Sequence, residues 1–511
     1  MTSSSSRRPA APSRGTRTGH PRRNAQQSGP GAAAYTAAHL APDSLGFALD
    51  LAAQAVGAVR AGAALPAALT SAFAALPADL APLARGAVQD IAYRTMRRLG
   101  LVDWLIRQRV SKAPPAPVAN LLACAFALLV DDEASAAYTP FTVVDQAVSA
   151  VGARREAAFA KGLVNAVLRG FLREREATLA AAQSDEVARW NYPRWWIDAV
   201  RAAAPGAWPS ILAAGNTQGP LTLRVNARRT TAADYVQRLQ AANIDAAQIG
   251  EHAVRLAAPL PVDRIPGFMD GDVSVQDAGA QVAAPLLNVR DGLRVLDACA
   301  APGGKSGHLL ELADVDLIAL ESDATRAPRI GENFARLGFA ADDPAHPQRR
   351  AQVVVGDAGD PAAWYDGQPF DRILADVPCS ASGIVRRHPD IRWLRRPTDI
   401  AALAEEQRRI VDALWPLLKP GGELVYVTCS IFPEEGEAQA LWFESTHADA
   451  VRLDAPGQLL PAAIGAPAGG ADSGAAGEAR PPAAGNDADA RAVPGRTADH
   501  DGFFYARFQK R

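Results

Sequence analysis

This 511-residue chain has few lysines, a small net charge and no closely spaced pair of cysteines. Only five of its 53 basic residues are lysine, and the formal net charge is −2. A chain that is not a polycation must hold nucleic acid through local basic surfaces. The four cysteines (Cys124, Cys299, Cys379 and Cys429) form no Cys-x-x-Cys pair, which argues against both a zinc ribbon and a disulfide framework. We therefore expect a reducing, cytoplasmic location and no bound metal.

Long apolar runs are also missing. The strongest, Val118 to Val130, is too short to span a bilayer and predicts a buried helix. No apolar segment follows the N-terminal arginines, so a secretory signal is not expected. At about 150 residues per domain, the length suggests three or so domains of a soluble protein.

Composition divides the chain into segments. Residues 1–36 contain no acid and are rich in Ser, Pro, Gly and Arg, which predicts a disordered basic tail. Residues 37–180 are Ala/Leu-rich with helical spacing, which favours a bundle of short helices. Residues 185–285 combine strand-like alternation with one helical stretch and predict a small α/β module. Residues 286–511 form the last unit, and its aperiodic stretch 461–498 predicts a disordered insertion.

Short β-branched or Leu-rich runs alternate with amphipathic segments in that last unit. This pattern favours a doubly wound, mainly parallel sheet. The predicted strands are Arg294–Asp297, Leu317–Glu321, Gln352–Val355, Arg372–Ala375, Glu423–Thr428 and a final strand within Gly502–Phe508.

A glycine-rich turn follows the first of these strands, over Asp297–Lys305. Such a turn between strand and helix lets backbone N–H groups approach a ligand closely. A Walker A loop would need glycine at Cys299, and a dinucleotide fingerprint would need it at Pro302, so the turn is neither. Glu321 and Asp357 lie at the ends of the next two strands, where an acid can accept hydrogen bonds from a ribose or face an adenine.

Two cysteines end neighbouring strands: Cys379 in Asp376–Ser380 and Cys429 in Thr428–Ser430. The ligand crevice of an open α/β sheet lies at the carboxyl ends of its strands. Both thiols are therefore expected to face the cleft that contains the glycine-rich turn.

These motifs resemble those of the RsmB/NOP/Sun family of RNA (cytosine-5)-methyltransferases. The resemblance also covers five other stretches: Gly383–Trp393, Asp501–Ala506, Pro266–Phe268, Val273–Asp277 and, like the end of a NusB-like domain, Val164–Arg173. It implies a NusB-like RNA-binding bundle, a small RRM-like module and a Rossmann-like class I methyltransferase. A NusB-like domain ahead of this core points to the family members that act on bacterial 16S ribosomal RNA.

The resemblance also implies roles for individual residues. Cys429 would be the nucleophile that attacks carbon 6 of cytosine, Cys379 would assist release, and Asp376 would bind the cytosine edge. Binding of S-adenosylmethionine would fall to ten residues: Cys299, Ala300, Ala301, Pro302, Gly303, Gly304, Lys305, Glu321, Asp357 and Asp376. Lys305 is a candidate cation to favour a thiolate. The expected partner is 16S ribosomal RNA with an accessible or flipped cytosine, bound by a monomer.

Two alternatives remain open. The same chemistry could act on transfer RNA or another RNA, or the chain could be a non-catalytic RNA-binding antitermination factor. The second predicts decay of at least one motif, whereas all are intact. A basic run with one aromatic residue is further expected to grip RNA phosphates near the target base; it comprises Arg386, Arg387, His388, Arg392, Trp393, Arg395 and Arg396.

Overall fold

The computed structural model describes residues 40–77, 80–131, 136–339, 350–461 and 499–511. The predicted tail 1–36 lies outside the described residues, as does the predicted insertion 461–498 apart from its first residue. Within the described ranges, no helix is both long enough and apolar enough to cross a membrane.

Within the described part of residues 40–182, eight helices form the N-terminal unit, because their Ala, Leu and Val side chains recur on one face and bury it in a common core. Helix α5 is buried along nearly its whole length, as its apolar run predicts. Phe126 packs edge-to-face on Phe171 of α7, with ring centroids 5.3 Å apart. The helices are α1 (Leu45–Arg60), α2 (Leu65–Ala74), α3 (Ala81–Arg97), α4 (Leu99–Arg109), α5 (Ala116–Leu129), α6 (Pro140–Ala153), α7 (Lys161–Arg173) and α8 (Arg175–Ala182).

Three short helices carry the tryptophan-rich stretch: α9 (Glu186–Trp190), α10 (Arg194–Ala203) and α11 (Trp208–Gly215). Trp196 of α10 is fully buried and packs edge-to-face on Phe432, which follows Cys429 closely in the chain. The tryptophan-rich helices therefore pack directly on the region that carries the predicted nucleophile.

A small four-stranded antiparallel sheet follows, in the order β2-β3-β1-β4. One helix, α12, is joined to it by the burial of Tyr235 and Leu239 against the apolar sheet residues. The elements are β1 (Thr222–Val225), α12 (Ala232–Ala241), β2 (Ala246–Gln248), β3 (Ala253–Leu256) and β4 (Val273–Val275).

The last unit is built on a seven-stranded sheet of order β10-β11-β9-β8-β5-β6-β7. Strands β5 to β9 pair in parallel, and β10 and β11 are antiparallel additions at one edge. A separate apolar core covers each face. The strands are β5 (Arg294–Ala298), β6 (Asp316–Glu321), β7 (Arg350–Val355), β8 (Phe370–Asp376), β9 (Leu418–Thr428), β10 (Ala450–Leu459) and β11 (Phe503–Lys510). The helices are α13 (Ala283–Leu286), α14 (Gly304–Leu312), α15 (Pro328–Leu337), α16 (Ile391–Leu394), α17 (Pro397–Leu414) and α18 (Glu437–Thr446).

The strand order reverses between β5 and β8, because the chain builds outward through β6 and β7 and then returns to the other side of β5. Such a switch point opens a crevice at the carboxyl ends of the strands. The predicted doubly wound sheet is confirmed, and so is the mainly parallel pairing.

Residues 386–395, here called the connecting segment, join the unit with the seven-stranded sheet to the helical unit. The Asp390 carboxylate accepts a hydrogen bond from the Leu65 N–H at the start of α2, at 2.8 Å. The Trp393 indole donates to the Met96 carbonyl at 2.9 Å, and the Arg97 guanidinium donates to the Arg386 carbonyl at 3.1 Å. Hydrogen bonds between polar groups of the two units thus hold this interface together.

Candidate active site

The glycine-rich turn begins where β5 ends. Cys299 and Gly303 both adopt positive φ, at 64° and 91°, and Gly304 is the first residue of α14. A β-carbon on Gly303 would meet Ile330 at 3.2 Å while the backbone stayed in a conformation that disfavours L side chains. Glycine is therefore required there, and the turn leads straight into the N-terminus of a helix.

Buried carboxylates surround this turn. Glu321, at the end of β6, accepts hydrogen bonds from the Ala301 N–H at 3.1 Å and the Asp323 N–H at 2.9 Å. Asp297 is fully buried and accepts from the Ser306 hydroxyl, while its Oδ1 atom has no hydrogen-bond partner among the described residues. Burial raises the pKa of Asp297 to about 7.

The charges of four acids act together on Cys299. Its pKa is raised by burial and then by the carboxylates of Asp376, Glu321, Asp297 and Asp357. These acids come from the ends of four strands, so the crevice concentrates negative charge around the turn. Such a site suits a ligand that carries positive charge and hydroxyl donors.

The carboxylate of Asp357 is already hydrogen-bonded to an arginine. Both of its oxygens accept from the Arg409 Nη2 atom, at 2.9 and 3.0 Å. That pairing is the main reason why the pKa of Asp357 is lowered. The carboxylate is half exposed, and Arg409 also contacts Glu406, so Asp357 lies at the rim of the crevice.

Lys305 and Asp376 form an ion pair inside the crevice, with Lys305 Nζ 2.6 Å from Asp376 Oδ2. Burial alone would lower the pKa of Lys305, but the carboxylate of Asp376 and the charge of Cys429 outweigh it, so the pKa is raised. The ammonium therefore stays protonated, within range of the charge of Cys429. Lys305 is the cation that the sequence predicts near the reactive thiol.

The two strand-end thiols meet. Cys379 Sγ lies 3.4 Å from Cys429 Sγ, and both side chains are partly exposed. The pKa of Cys379 is raised well above its ordinary value by the hydrogen bond with Cys429, by burial and by the charges of Cys429 and Glu435. Where two thiols share a site in this way, one ionises at the expense of the other.

Two residues hold the Cys379 loop: Arg395, which belongs to the basic run predicted to contact RNA, and Glu435, which sequence reasoning did not single out. Arg395 donates to the carbonyl oxygens of Cys379 and Ser380, at 3.1 and 3.2 Å. Glu435, in the turn after β9, accepts from the Ser380 N–H at 2.7 Å. The sequence predicts an RNA contact for Arg395 and a surface position for Glu435, and only the tertiary fold turns both side chains toward the Cys379 loop.

The expectation that the basic run grips RNA phosphates is wrong for Arg386, Arg387 and Arg392. Arg386 is 1 % exposed and Arg392 fully buried. Arg386 and Arg387 pair with acids (Asp277, Asp499 and Asp501), and Arg392 donates to backbone carbonyls and lies over the Tyr192 ring. These arginines stabilise the fold, because their charges are neutralised by acids and carbonyls from distant parts of the chain.

No group of three or more His, Cys, Asp or Glu side chains within the described ranges is arranged to hold a metal ion. The expectation of a metal-independent reaction therefore stays a prediction.

The fold and the crevice together define a Rossmann-like methyltransferase preceded by a NusB-like helical domain and a small α/β module. Three family descriptions match consecutive parts of the chain: the NusB family over residues 48–173, the ferredoxin-like domain of RsmF/B-type methyltransferases over 192–263, and 16S rRNA methyltransferase RsmB/F over 284–509. The chain belongs to this RsmB/F methyltransferase family.

Individual relatives agree with this assignment. The chain is 38% identical to the ribosomal RNA small subunit methyltransferase B of Pseudomonas syringae over 433 residues, which is 83% of this chain and 89% of the relative. It is 41% identical to the protein of the same name from Sodalis glossinidius, over 76% of this chain and 89% of that one. The crystal structure of PH0851 shares the fold with a TM-score of 0.66 at 23% identity, covering 92% of this chain and 99% of that one.

Proposed function

We propose that this chain transfers a methyl group from S-adenosylmethionine to carbon 5 of a cytosine in 16S ribosomal RNA, through a covalent bond between Cys429 and carbon 6. The observation that carries the proposal is the 3.4 Å approach of the Cys379 and Cys429 sulfurs beside the Lys305–Asp376 ion pair. The names of the curated relatives, ribosomal RNA small subunit methyltransferase B, support the RNA substrate.

The residues of the turn fit S-adenosylmethionine. The unpartnered Oδ1 of Asp297 and the buried carboxylate of Glu321 offer acceptors for an ammonium group and ribose hydroxyls. We assign the turn from Cys299 to Lys305, with Glu321, Asp357 and Asp376, to the binding of this molecule. For Asp357 to bind the cofactor, its hydrogen bonds with Arg409 must break or be shared with the ligand. When bound, S-adenosylmethionine supplies an electrophilic methyl group and leaves as S-adenosylhomocysteine.

Carbon 5 of cytosine is a weak nucleophile, so the chain must first raise its electron density. The Cys429 thiolate adds to carbon 6, which forms the C6–S bond and makes carbon 5 nucleophilic toward the methyl group. The charge of Cys429 helps to raise the pKa of Lys305, so the ammonium of Lys305 is the cation within range of this sulfur. Asp376 accepts hydrogen bonds from the cytosine edge and stabilises the adduct. The base must leave its stack to admit the sulfur, so an accessible or flipped cytosine is required.

Release needs a base, and adduct formation itself prepares one. The thiolate of Cys429 contributes both the hydrogen bond and part of the charge that raise the pKa of Cys379. Once Cys429 is a thioether that charge is gone, so the pKa of Cys379 falls and the thiol can give its proton to solvent. The Cys379 thiolate then takes the proton from carbon 5. The electron pair of that C–H bond restores the ring double bond and expels the Cys429 thiolate.

Single cysteine variants test the assignment. With Cys429→Ala, we expect neither methylation of 16S ribosomal RNA nor a protein–RNA cross-link, because the C6–S bond cannot form. With Cys379→Ala, attack proceeds and elimination stalls, so a complex that survives denaturing electrophoresis and is cleared by ribonuclease should accumulate. The matched control is Cys124→Ala, whose buried thiol lies in the helical unit and should change neither readout.

The reverse pattern, with Cys429→Ala trapped on RNA and Cys379→Ala free of RNA, would move the nucleophile to Cys379.

Mapping of 5-methylcytosine in the product RNA checks the position of the methyl group. Methylation of transfer RNA alone would reject 16S ribosomal RNA as the substrate. Titration calorimetry in chelator should detect S-adenosylmethionine binding that Glu321→Ala weakens. Activity that is lost on chelation and restored by zinc would overturn the metal-independent mechanism.

A further inference from the structure

Glu435 is a buried carboxylate without a role in the chemistry described so far. It lies in the turn Pro433–Glu435 after β9 and is completely inaccessible to solvent. Its Oε1 atom accepts from the Ser380 N–H at 2.7 Å and from the Gln407 amide at 3.1 Å, and its Oε2 atom accepts from the Ser430 hydroxyl at 2.6 Å. Both carboxylate oxygens are therefore engaged.

Two of these partners are the residues that directly follow the two cysteines. Ser380 belongs to the loop after β8 and Ser430 to the loop after β9, so one side chain bonds to both loops. Three hydroxyls close the same gap: the Ser380 and Ser382 oxygens are 3.0 Å apart, those of Ser382 and Ser430 3.0 Å, and those of Ser380 and Ser430 3.3 Å. All of these groups are buried.

Packing alone does not explain a carboxylate at this position, because burying its charge costs free energy. Burying a charge carries a large desolvation cost unless ion pairs or hydrogen bonds offset it. Among the described residues no lysine or arginine forms a salt bridge with Glu435, so its hydrogen bonds must supply the compensation. The acids that suit the N-terminal turn of α18 are instead its exposed neighbours Glu434 and Glu437.

We propose that Glu435 is a positioning residue for the methyl-transfer reaction, which ties the loops of Cys379 and Cys429 together and thereby sets the separation of their sulfurs. The proposal rests on the function proposed for the two thiols. Its charge has a second effect, because it helps to raise the pKa of Cys379 and so keeps that thiol protonated.

The test compares Glu435→Gln with Glu434→Gln, a matched control one residue away on the surface. Glutamine keeps the size of the side chain but removes the charge and one acceptor. We expect kcat to fall about 10- to 100-fold, as for small misplacements of reacting groups. The KM for RNA and the affinity for S-adenosylmethionine should stay unchanged, because neither site is touched. The trapped protein–RNA complex should increase because elimination depends on Cys379.

A second readout does not depend on turnover. In a Cys429→Ser background, the rate of Cys379 alkylation by iodoacetamide should rise at lower pH when Glu435→Gln is added, and Glu434→Gln should leave that profile in place. If Glu435→Gln matches Glu434→Gln in both kcat and alkylation profile, the positioning role is overturned. If the alkylation profile shifts while Cys429→Ala still methylates RNA, the proposed function fails and the role of Glu435 in the thiol pair stands.

Discussion

A buried ion pair joins the small α/β module to the helix that follows the glycine-rich turn. The Arg224 guanidinium bonds to both oxygens of Glu311, with Nε–Oε2 at 2.8 Å and Nη2–Oε1 at 2.6 Å. The same guanidinium donates to the Gln276 amide oxygen at 2.7 Å and to the Gly304 carbonyl at 2.6 Å. The side chains of the pair are 0% and 1% exposed. We expect Arg224→Met to destabilise α14 strongly.

The magnitude follows from what the substitution leaves behind. Methionine fills a similar volume but leaves the Glu311 carboxylate buried without a counter-ion, which costs roughly 3–5 kcal/mol. At about 1.4 kcal/mol per tenfold, the amides of α14 should exchange with solvent ~10²- to 10⁴-fold faster. Hydrogen exchange of the full-length chain measures this locally, without requiring that three domains unfold together.

Two further variants separate an uncompensated charge from simple loss of packing. Arg224→Met combined with Glu311→Met removes both charges, so it should recover much of the protection, because apolar replacement of a buried pair is often close to neutral. Arg238→Met breaks a pair with Asp272 in which the arginine is 47% exposed and should cost about 1 kcal/mol at most. If the double variant exchanges as fast as Arg224→Met, or if Arg224→Met behaves like Arg238→Met, the argument from burial is wrong.

Three other predictions concern stability. Burial raises the pKa of Asp297 from 3.8 to about 7, so between these pH values the native state binds a proton that the unfolded state does not. The free energy of unfolding should therefore fall as the pH rises from 3.8 to about 7. Asp297→Asn should flatten the dependence of the urea midpoint on pH. Gly383→Ala would bring a β-carbon to 2.1 Å from the Gly502 carbonyl oxygen and should lower the melting temperature. The control is Gly331→Ala on α15, where a β-carbon meets open space. It should be neutral or stabilise the protein by about 0.5–1 kcal/mol. The Arg392 guanidinium donates to three backbone carbonyls and one amide oxygen, a geometry that an ammonium cannot reproduce. Arg392→Lys should therefore lower the free energy of unfolding by roughly 2 kcal/mol or more. An unchanged denaturant midpoint would contradict this.

In the seven-stranded sheet, the strands that sequence reasoning located share a composition, and strand β10, which it missed, lacks it. Strands β5 to β8, the predicted part of β9 (Glu423–Thr428) and β11 are short runs rich in Val, Ile, Leu or aromatic residues. Strand β10 (Ala450–Leu459) instead contains Pro456 and Gly457, and its pairing with β11 shifts register between Leu453 and Gly457. It is an edge strand, where proline, glycine and a bulge are tolerated because one side needs no ladder. Local pattern cannot reveal such a strand.

The candidate site divides in the same way. The glycine-rich turn and the two cysteines could be located because their residues follow predicted strands within a few positions. Glu435 could not, since an acid in a Pro-Glu-Glu-Gly stretch has the pattern of an exposed turn and its burial depends on loops from two strands. The buried Arg386 was misjudged for the same reason, because its partner Asp501 lies 115 positions further along the chain.

The contacts of the connecting segment limit how this protein can be recombined. Asp390 uses a backbone N–H of α2, and Trp393 uses a backbone carbonyl of α3, so both depend on where the helical unit places its main chain. A chimera that replaced everything before residue 185 with another RNA-binding domain would leave a buried carboxylate and an indole N–H without partners. Its designer would have to transplant the helical unit together with this segment or replace Asp390 and Trp393 in the same step. The domain boundary in the sequence is therefore not the boundary at which the protein can be cut and rejoined.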